Sequence, residues 1–338
     1  MTDRLLDSPL PIVAAPMAGG PSTVALAHAV AAAGAFPFLA GGYKTVEALE
    51  AEVEQLRLLD VAFGVNLFVP GHDTLDERAF AAYAAELGAE AAQFGLELDP
   101  TPVRDDDGWG EKLAWLLAHP VPAVSLTFGI PDHGDIAALR LVGSRVLATV
   151  TTPEEARLAR DAGVDGIVVQ GAAAGGHSAT FDPTRTPGPM PTATLLRRVL
   201  REVDLPVVAT GGVDGPQAVR TLLDAGAQSV AVGTLLLRTD EAGTSPTHRR
   251  ALGDPSFVET VLTRAFTGRP ARALRNGFVD RHPDGIVGYP AVHHLTRALR
   301  QAAGAAGDAD RLHLWAGTGW RSAPTGPAAD VVRHLVGD

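Results

Sequence analysis

Eight short, nearly uninterrupted apolar runs recur along this chain, and each is followed by a segment with helical spacing. They occupy residues 11–16, 36–41, 62–68, 123–129, 144–150, 166–171, 206–212 and 229–237. Runs that are apolar throughout, without polar alternation, are what strands buried on both faces require. Strands and helices in alternation, with short connections, mean parallel βα units. Eight of them predict a closed barrel over an open sheet. The expected architecture is α/β, a (β/α)8 TIM barrel with a small, mostly helical subdomain inserted after the eighth strand. A length of 338 residues suits one such barrel with an insertion, and 46% apolar residues is ample for its core.

The helices between the runs have readable ends. Thr152-Pro153-Glu154-Glu155 supplies an N-cap, a proline at the first helical position and a capping-box glutamate, and Gly163 closes that helix. Asp214-Gly215-Pro216-Gln217 reads the same way, with Gly226 as the stop. Ser22 is the expected cap of the first helix and Gly34 its end. A faint repeat, residues 161–171 against 224–234, uses one helix-end-to-strand unit twice. Two stretches break the rhythm. Residues 70–122 are long and acidic and read as extra helices, with Asp105-Asp106-Asp107 in a solvated loop. After Leu237 no further strand is expected. Residues 239–300 read as the helical subdomain, and residues 1–238 with 301–338 as the barrel.

Charge and composition exclude several classes. The chain carries 28 basic and 39 acidic residues, a net charge of −11, and no basic cluster, which argues against a nucleic-acid partner. It has no cysteine, so disulfides, thiolate metal sites, iron–sulfur clusters and a cysteine nucleophile are excluded. Met1 to Pro11 carries Asp3 and Asp7 and no apolar signal core, and the most apolar stretch, residues 24–42, is interrupted by His28 and Pro37. A cytoplasmic protein, monomer or homodimer, with no membrane partner is the expectation. No H-x-x-H or H-E-x-x-H pattern occurs, so no metal site is expected, and there is no G-x-S-x-G elbow. His293 and His294 are adjacent and would diverge by about 100° on a helix, too far to share a metal. His28, inside an alanine-rich helix, reads as structural.

In a barrel of this kind, chemistry sits where the C-terminal strand ends and the βα loops meet. Gly211-Gly212 and Gly233-Thr234 follow the seventh and eighth runs, where backbone N–H groups can approach a phosphate and a helix N-terminus adds its dipole. Ordinary tight turns are the plainer alternative. Asn66 and Gln170 place primary amides at the same rim. They would suit a flat heterocycle with carbonyls and ring nitrogens, or would merely satisfy loop backbone. His177 ends an Ala/Gly-rich loop and is a general base, an anion-binding group, or a histidine on a surface loop.

Several ordered blocks resemble the nitronate monooxygenases, formerly called 2-nitropropane dioxygenases. They are Pro16-Met17-Ala18-Gly19-Gly20-Pro21-Ser22-Thr23, Phe38 to Lys44, Phe63 to Pro70, and Ser125 to Gly129. Gln170-Gly171 to Gly175-Gly176-His177, Thr263 to Pro270, His293 to Thr296 and Leu314 to Gly317 continue the series over nearly the whole chain. The resemblance implies an FMN-dependent barrel that oxidises alkyl nitronates with O2 and needs no NAD(P)H, with propionate 3-nitronate the usual best substrate. By position, Asn66, Gln170, Gly175, Gly176, Gly211, Gly212, Ala231, Val232, Gly233 and Thr234 would bind FMN. The Met17 backbone would lie near the ring, His177 would be the active-site histidine beside the flavin, and residues 239–300 would lie on the substrate side.

Ala173, Ser178-Ala179 and Thr318 depart from the family pattern and are expected near the substrate, away from the phosphate cradle. His177 would attract an anionic nitronate if protonated, or deprotonate a neutral nitroalkane if neutral. The nearest competing reading is a related FMN barrel that reduces an enoyl thioester or a quinone with NADH, although no separate G-x-G-x-x-G unit is present. A flavin-free isomerase or lyase acting on a sugar or indole phosphate, and a non-catalytic binding module, complete the alternatives.

Overall fold

A computed structural model describes residues 4–71 and 75–337; Asp3 of the N-terminal reading lies outside the described residues. All eight apolar runs form strands: β1 (Ile12–Ala14), β2 (Phe36–Ala40), β3 (Gly64–Phe68), β4 (Ala123–Thr127), β5 (Arg145–Val150) and β6 (Gly166–Gln170). A two-residue strand, β7 (Gly176–His177), stands apart from the ring, which resumes with β8 (Val207–Thr210) and β9 (Ser229–Val232). Every pairing within the ring is parallel. The ring closes because β1 pairs with both β2 and β9, Val13 lying opposite Phe36 on one side and Ala231 on the other. This is the expected (β/α)8 barrel.

The burial pattern explains why the runs are apolar without alternation. Val13, Phe36, Phe38, Leu147, Val208 and Ala231 pack together inside the ring, with Leu5 and Leu6 in the same cluster. Their neighbours Ile12, Ala14, Leu39, Val146, Val207 and Val230 belong to the larger core between strands and helices. Both faces of each strand are therefore removed from water, and a fully buried Phe or Leu contributes roughly 1.5–3 kcal/mol.

The structure differs from the local expectations in five places. Thr23, not Ser22, caps the first helix by accepting from Leu26 N, while the Ser22 hydroxyl accepts from Met17 N at 2.9 Å. Gly215, not Asp214, is the cap before Pro216, and no side chain caps that helix. His28 is exposed and packs no core. The acidic loop is only partly solvated, since Asp107 binds both Tyr43 N and Lys112, and Asp105 meets His294 at 2.9 Å. The Thr152 cap forms as read. The Glu155 carboxylate, however, accepts from Thr151 N and Oγ1 and not from the cap residue's own N–H.

Strands do not end at Leu237. β10 (Thr260–Thr263) and β11 (Ala271–Leu274) form an antiparallel pair, and β11 continues onto β7 with Ala271 opposite His177. Helix Ala291–Ala306 runs straight across residue 300. The post-barrel segment shares a core with the 70–122 insertion: Phe80, Tyr83 and Leu87 pack with Phe266, Phe278, Leu295 and Leu299. The tail helix, Ala328–Val336, returns to the barrel's helices.

Gly41 joins fold to site. Its N–H donates to Asn66 O at 2.8 Å, and an added Cβ would fall 2.8 Å from that same carbonyl. Gly41→Ala is expected to push β2 from β3 and destabilise the protein by about 1–3 kcal/mol. A fall in Tm of several degrees in thermal unfolding would show it, and an unchanged Tm would contradict this packing.

Candidate functional site

The C-terminal ends of the strands open into a cavity of about 730 Å³, within the roughly 300–1,000 Å³ typical of small-molecule sites. Its floor is made of inward barrel side chains, among them Val13, Phe38, Val208 and Ala231.

One wall is backbone. Gly211 (φ +110°) and Gly212 (φ +78°) turn the chain after β8 through conformations that disfavour a side chain. At Gly211 there is also no room, since a Cβ would lie 2.9 Å from Gly171 O. The N–H groups of Gly175, Gly212, Gly233 and Thr234 donate to no acceptor among the described residues, and all four residues line the cavity. Free amides gathered at loop and helix starts form a nest of the kind that suits an anion. Ala173 and Thr318 adjoin this nest and do not lie apart from it. Thr318 N donates to Ala173 O at 3.0 Å, and a Cβ on Gly212 would meet Ala173 Cβ at 2.9 Å.

The remaining sequence-read residues differ in what they leave available. Asn66 Nδ2 donates to Ser125 O (3.0 Å), Ser125 Oγ (2.9 Å) and Thr127 Oγ1 (2.9 Å). The Ser125 carbonyl can only accept, which fixes the amide's orientation and leaves Oδ1 for a donor. Gln170 is spent on its own loop, accepting from Ala179 N (2.8 Å) and donating to His177 O (3.2 Å). Met17 N–H is likewise engaged, by Ser22. Ala231 and Val232 line the cavity, and their carbonyls accept from Thr210 Oγ1 and Ala15 N. Gly176 (φ +73°) sets the bend before His177.

His177 is held on β7 by the β11 pairing, and its Nε2 meets Thr267 Oγ1 at 2.9 Å. The ring packs against Trp315, Tyr289 and Phe128 at centroid distances of 5.4, 5.6 and 5.8 Å. Burial first, then the charges of Arg269 and Arg300, push its pKa down to about 3. The imidazole is neutral at pH 7.

Sequence reasoning missed the cavity's charge. Among the described residues no Asp or Glu lines it, although the whole chain carries −11. His177, His248, His293, His313, Arg297 and Arg300 do. Arg300 is buried and surrounded by neutral acceptors: Thr296 Oγ1 (3.0 Å), His293 O (2.9 Å), His293 Nδ1 (3.1 Å) and His313 Nε2 (3.4 Å). Arg269 donates to Ser178 O and Thr180 O and lies 4.0 Å over the Phe128 ring. Neither has a carboxylate partner among the described residues. Burial lowers both to about 10, so both remain charged. The signal available in the sequence was the His293–Arg300 spacing, two helical turns on one face. The rings of His293 and His294 stand at 88°, and among the described residues no group of three or more His, Asp or Glu is placed to hold a metal ion.

The fold and the site define a (β/α)8 barrel whose cavity carries free backbone amides, a buried histidine and the buried Arg300. The family profile described as nitronate monooxygenase matches residues 5–338, and the chain belongs to that family. It is 40% identical to a nitronate monooxygenase of Pseudomonas aeruginosa, over 99% of both chains. A probable nitronate monooxygenase of Staphylococcus saprophyticus is 34% identical over 93% of this chain and 90% of its own. Among solved structures, nitroalkane oxidase from Streptomyces ansochromogenes superposes with a TM-score of 0.92 at 48% identity, covering 97% of this chain and 95% of that one. FabK from Thermotoga maritima, at TM-score 0.72 and 22% identity over 98% and 93%, shares the fold. Among the described residues no helix is long and apolar enough to cross a membrane.

Burial depresses His177 to about 3, His293 to about 2 and His248 to about 4. Between those values and about 6.5 the unfolded chain binds more protons than the folded one, so stability falls on acidification through this window. Thermal unfolding at a series of pH values should show Tm dropping from pH 6.5 towards 4. His248→Asn should flatten that slope, and an unaltered slope would refute its neutral burial.

Proposed function

We propose that this chain uses FMN to oxidise alkyl nitronates with O2, without NAD(P)H, and that propionate 3-nitronate is among its substrates. The observation that carries the reading is a cavity without a carboxylate among the described residues, lined both by free backbone amides and by the buried Arg300, which has no carboxylate partner among them. The amide nest fits a phosphate, the Asn66 Oδ1 fits a ring N–H, and the volume is large enough for both cofactor and substrate. Bound there, FMN would take electrons from the nitronate and deliver them to O2. Gly175, Gly212, Gly233 and Thr234 would hold the phosphate, with Asn66 at the ring.

The chain's own residues then select the anion. Arg300 supplies positive charge within the cavity, and no carboxylate among the described residues opposes it. His177, neutral and hydrogen-bonded to Thr267, orients the substrate's head without a charge of its own. With a pKa of about 3 it is too weak a base for efficient removal of a carbon-bound proton at neutral pH. A nitronate arrives already deprotonated and needs no such step. This favours nitronates over nitroalkanes as substrates.

The purified protein should show a flavin spectrum and consume O2 on addition of propionate 3-nitronate without NADH, with the parent nitroalkane much slower at pH 7. Anaerobic bleaching by NADH, with no response to a nitronate, would overturn the reading in favour of a reductase. His177→Asn should retain its flavin and, through lost substrate orientation, lose roughly a hundredfold in kcat/KM.

A further inference from the structure

Among the described residues four non-glycine residues have positive φ, and three of them serve one wall of the cavity: Tyr43 (+65°), Phe128 (+82°) and Asp107 (+59°). Tyr43 and Phe128 line the cavity themselves. The left-handed conformation is unfavourable for residues with a Cβ, and such outliers persist where the surroundings hold them.

The hold on Tyr43 is explicit. Its N–H donates to Asp107 Oδ1 at 2.7 Å, and Asp107 Oδ2 accepts at 2.8 Å from Lys112, whose side chain is 2% exposed. The ring stacks on His293 with centroids 4.1 Å apart and planes within 3°, and meets the Phe68 ring edge-on at 5.3 Å. The acidic segment read from sequence as solvent-facing is thus a brace reaching into the site.

The hydroxyl so placed has a hydrogen to give. Tyr289 Oη and Tyr43 Oη lie 3.2 Å apart, and neither has another partner among the described residues. Two hydroxyls sharing one hydrogen bond leave one O–H over. Tyr43 is the member lining the cavity, and Tyr289, which donates to it, also packs against His177. The spare donor and the imidazole therefore flank one space. Burial lifts the Tyr43 pKa to about 12, so the phenol stays protonated.

We propose that the Tyr43 hydroxyl donates a hydrogen bond to a nitro-group oxygen of the bound nitronate, and that Asp107, anchored by Lys112, is the positioning residue that aims it. This rests on the nitronate reading. The negative charge of a nitronate lies on its two oxygens, and a fixed neutral donor binds that head without demanding a counter-charge. Tyr43 would set affinity for the planar oxyanion, while the arginines supply the field.

The test compares the wild-type holoenzyme with Tyr43→Phe, Asp107→Asn and the double variant. Tyr43→Phe removes one oxygen and keeps the stacked ring and the strained backbone. Flavin content and Tm should match wild type. Nitrate, a planar oxyanion that the enzyme cannot oxidise, is titrated against the flavin absorbance. Its Kd should rise about tenfold, the KM for propionate 3-nitronate should rise likewise, and kcat should change less. Asp107→Asn should weaken nitrate in the same direction, and the double variant should lose no more than Tyr43→Phe alone.

Wild-type nitrate affinity in Tyr43→Phe would overturn the donor. Additive losses in the double variant would overturn the positioning role of Asp107. A wild-type enzyme inert to every nitronate would refute the functional reading alone, leaving the nitrate titration to decide on Tyr43.

Discussion

Arg300 is the constraint from which the site follows. A guanidinium stays charged in a protein, and taking it out of water costs several kcal/mol. Here the side chain is enclosed, at 6% exposure, and its acceptors are all neutral. Helix Ala291–Ala306 supplies Thr296 one turn away and His293 two turns away, and His313 approaches from outside the helix. Because no carboxylate among the described residues cancels it, the charge is felt across the cavity. It lowers the pKa of His177, His293 and His313, burial being the larger cause in each. The positive field that would draw an anion is therefore a fixed arginine, insensitive to pH in the physiological range, and the histidines around it serve as neutral hydrogen-bonding groups.

The loop that carries His177 owes its shape to long-range contacts. Gln170 ties its two ends, using both halves of its amide on His177 O and Ala179 N. β11 pairs with it across the barrel mouth, and Arg269 takes the Ser178 and Thr180 carbonyls. Glu155 receives Phe181 N at 3.0 Å and the Arg185 guanidinium, while also accepting from Thr151. The Glu155 carboxylate thus anchors the far side of this loop to the end of β5. With the backbone at His177 paired in this way, the imidazole is held before any ligand arrives, which is how an oriented site avoids reorganisation during reaction.

What the sequence made legible follows from the range of the interactions involved. The barrel strands were readable because burial on two faces writes itself into consecutive residues. The nest was readable because only glycine suits Gly211 and Gly212, whatever lies around them. Helix caps were off by one where adjacent residues could both cap: Ser22 is diverted to Met17, leaving Thr23 to do it. The β10–β11 pair was missed because its short strands find their third partner at His177, some ninety positions away in sequence. Asp107 reads as a solvated acid because Tyr43 lies 64 positions upstream. The roles of His293 and Arg300 depend on neutral partners, and neutrality leaves no charge pattern to read.

The arginine also decides where the histidine protons sit. Arg300 can only donate, so His293 Nδ1 and His313 Nε2, which face it, must be the bare nitrogens of their rings. Each neutral ring then carries its proton on the opposite nitrogen, Nε2 in His293 and Nδ1 in His313. His313 Nδ1 is buried with no partner among the described residues. A buried donor without an acceptor is costly, and such groups in native structures call for an explanation. The same cavity also holds free backbone amides and the spare Tyr43 O–H, so its unused groups are mostly donors. An anion is the kind of ligand that would supply the acceptors they lack.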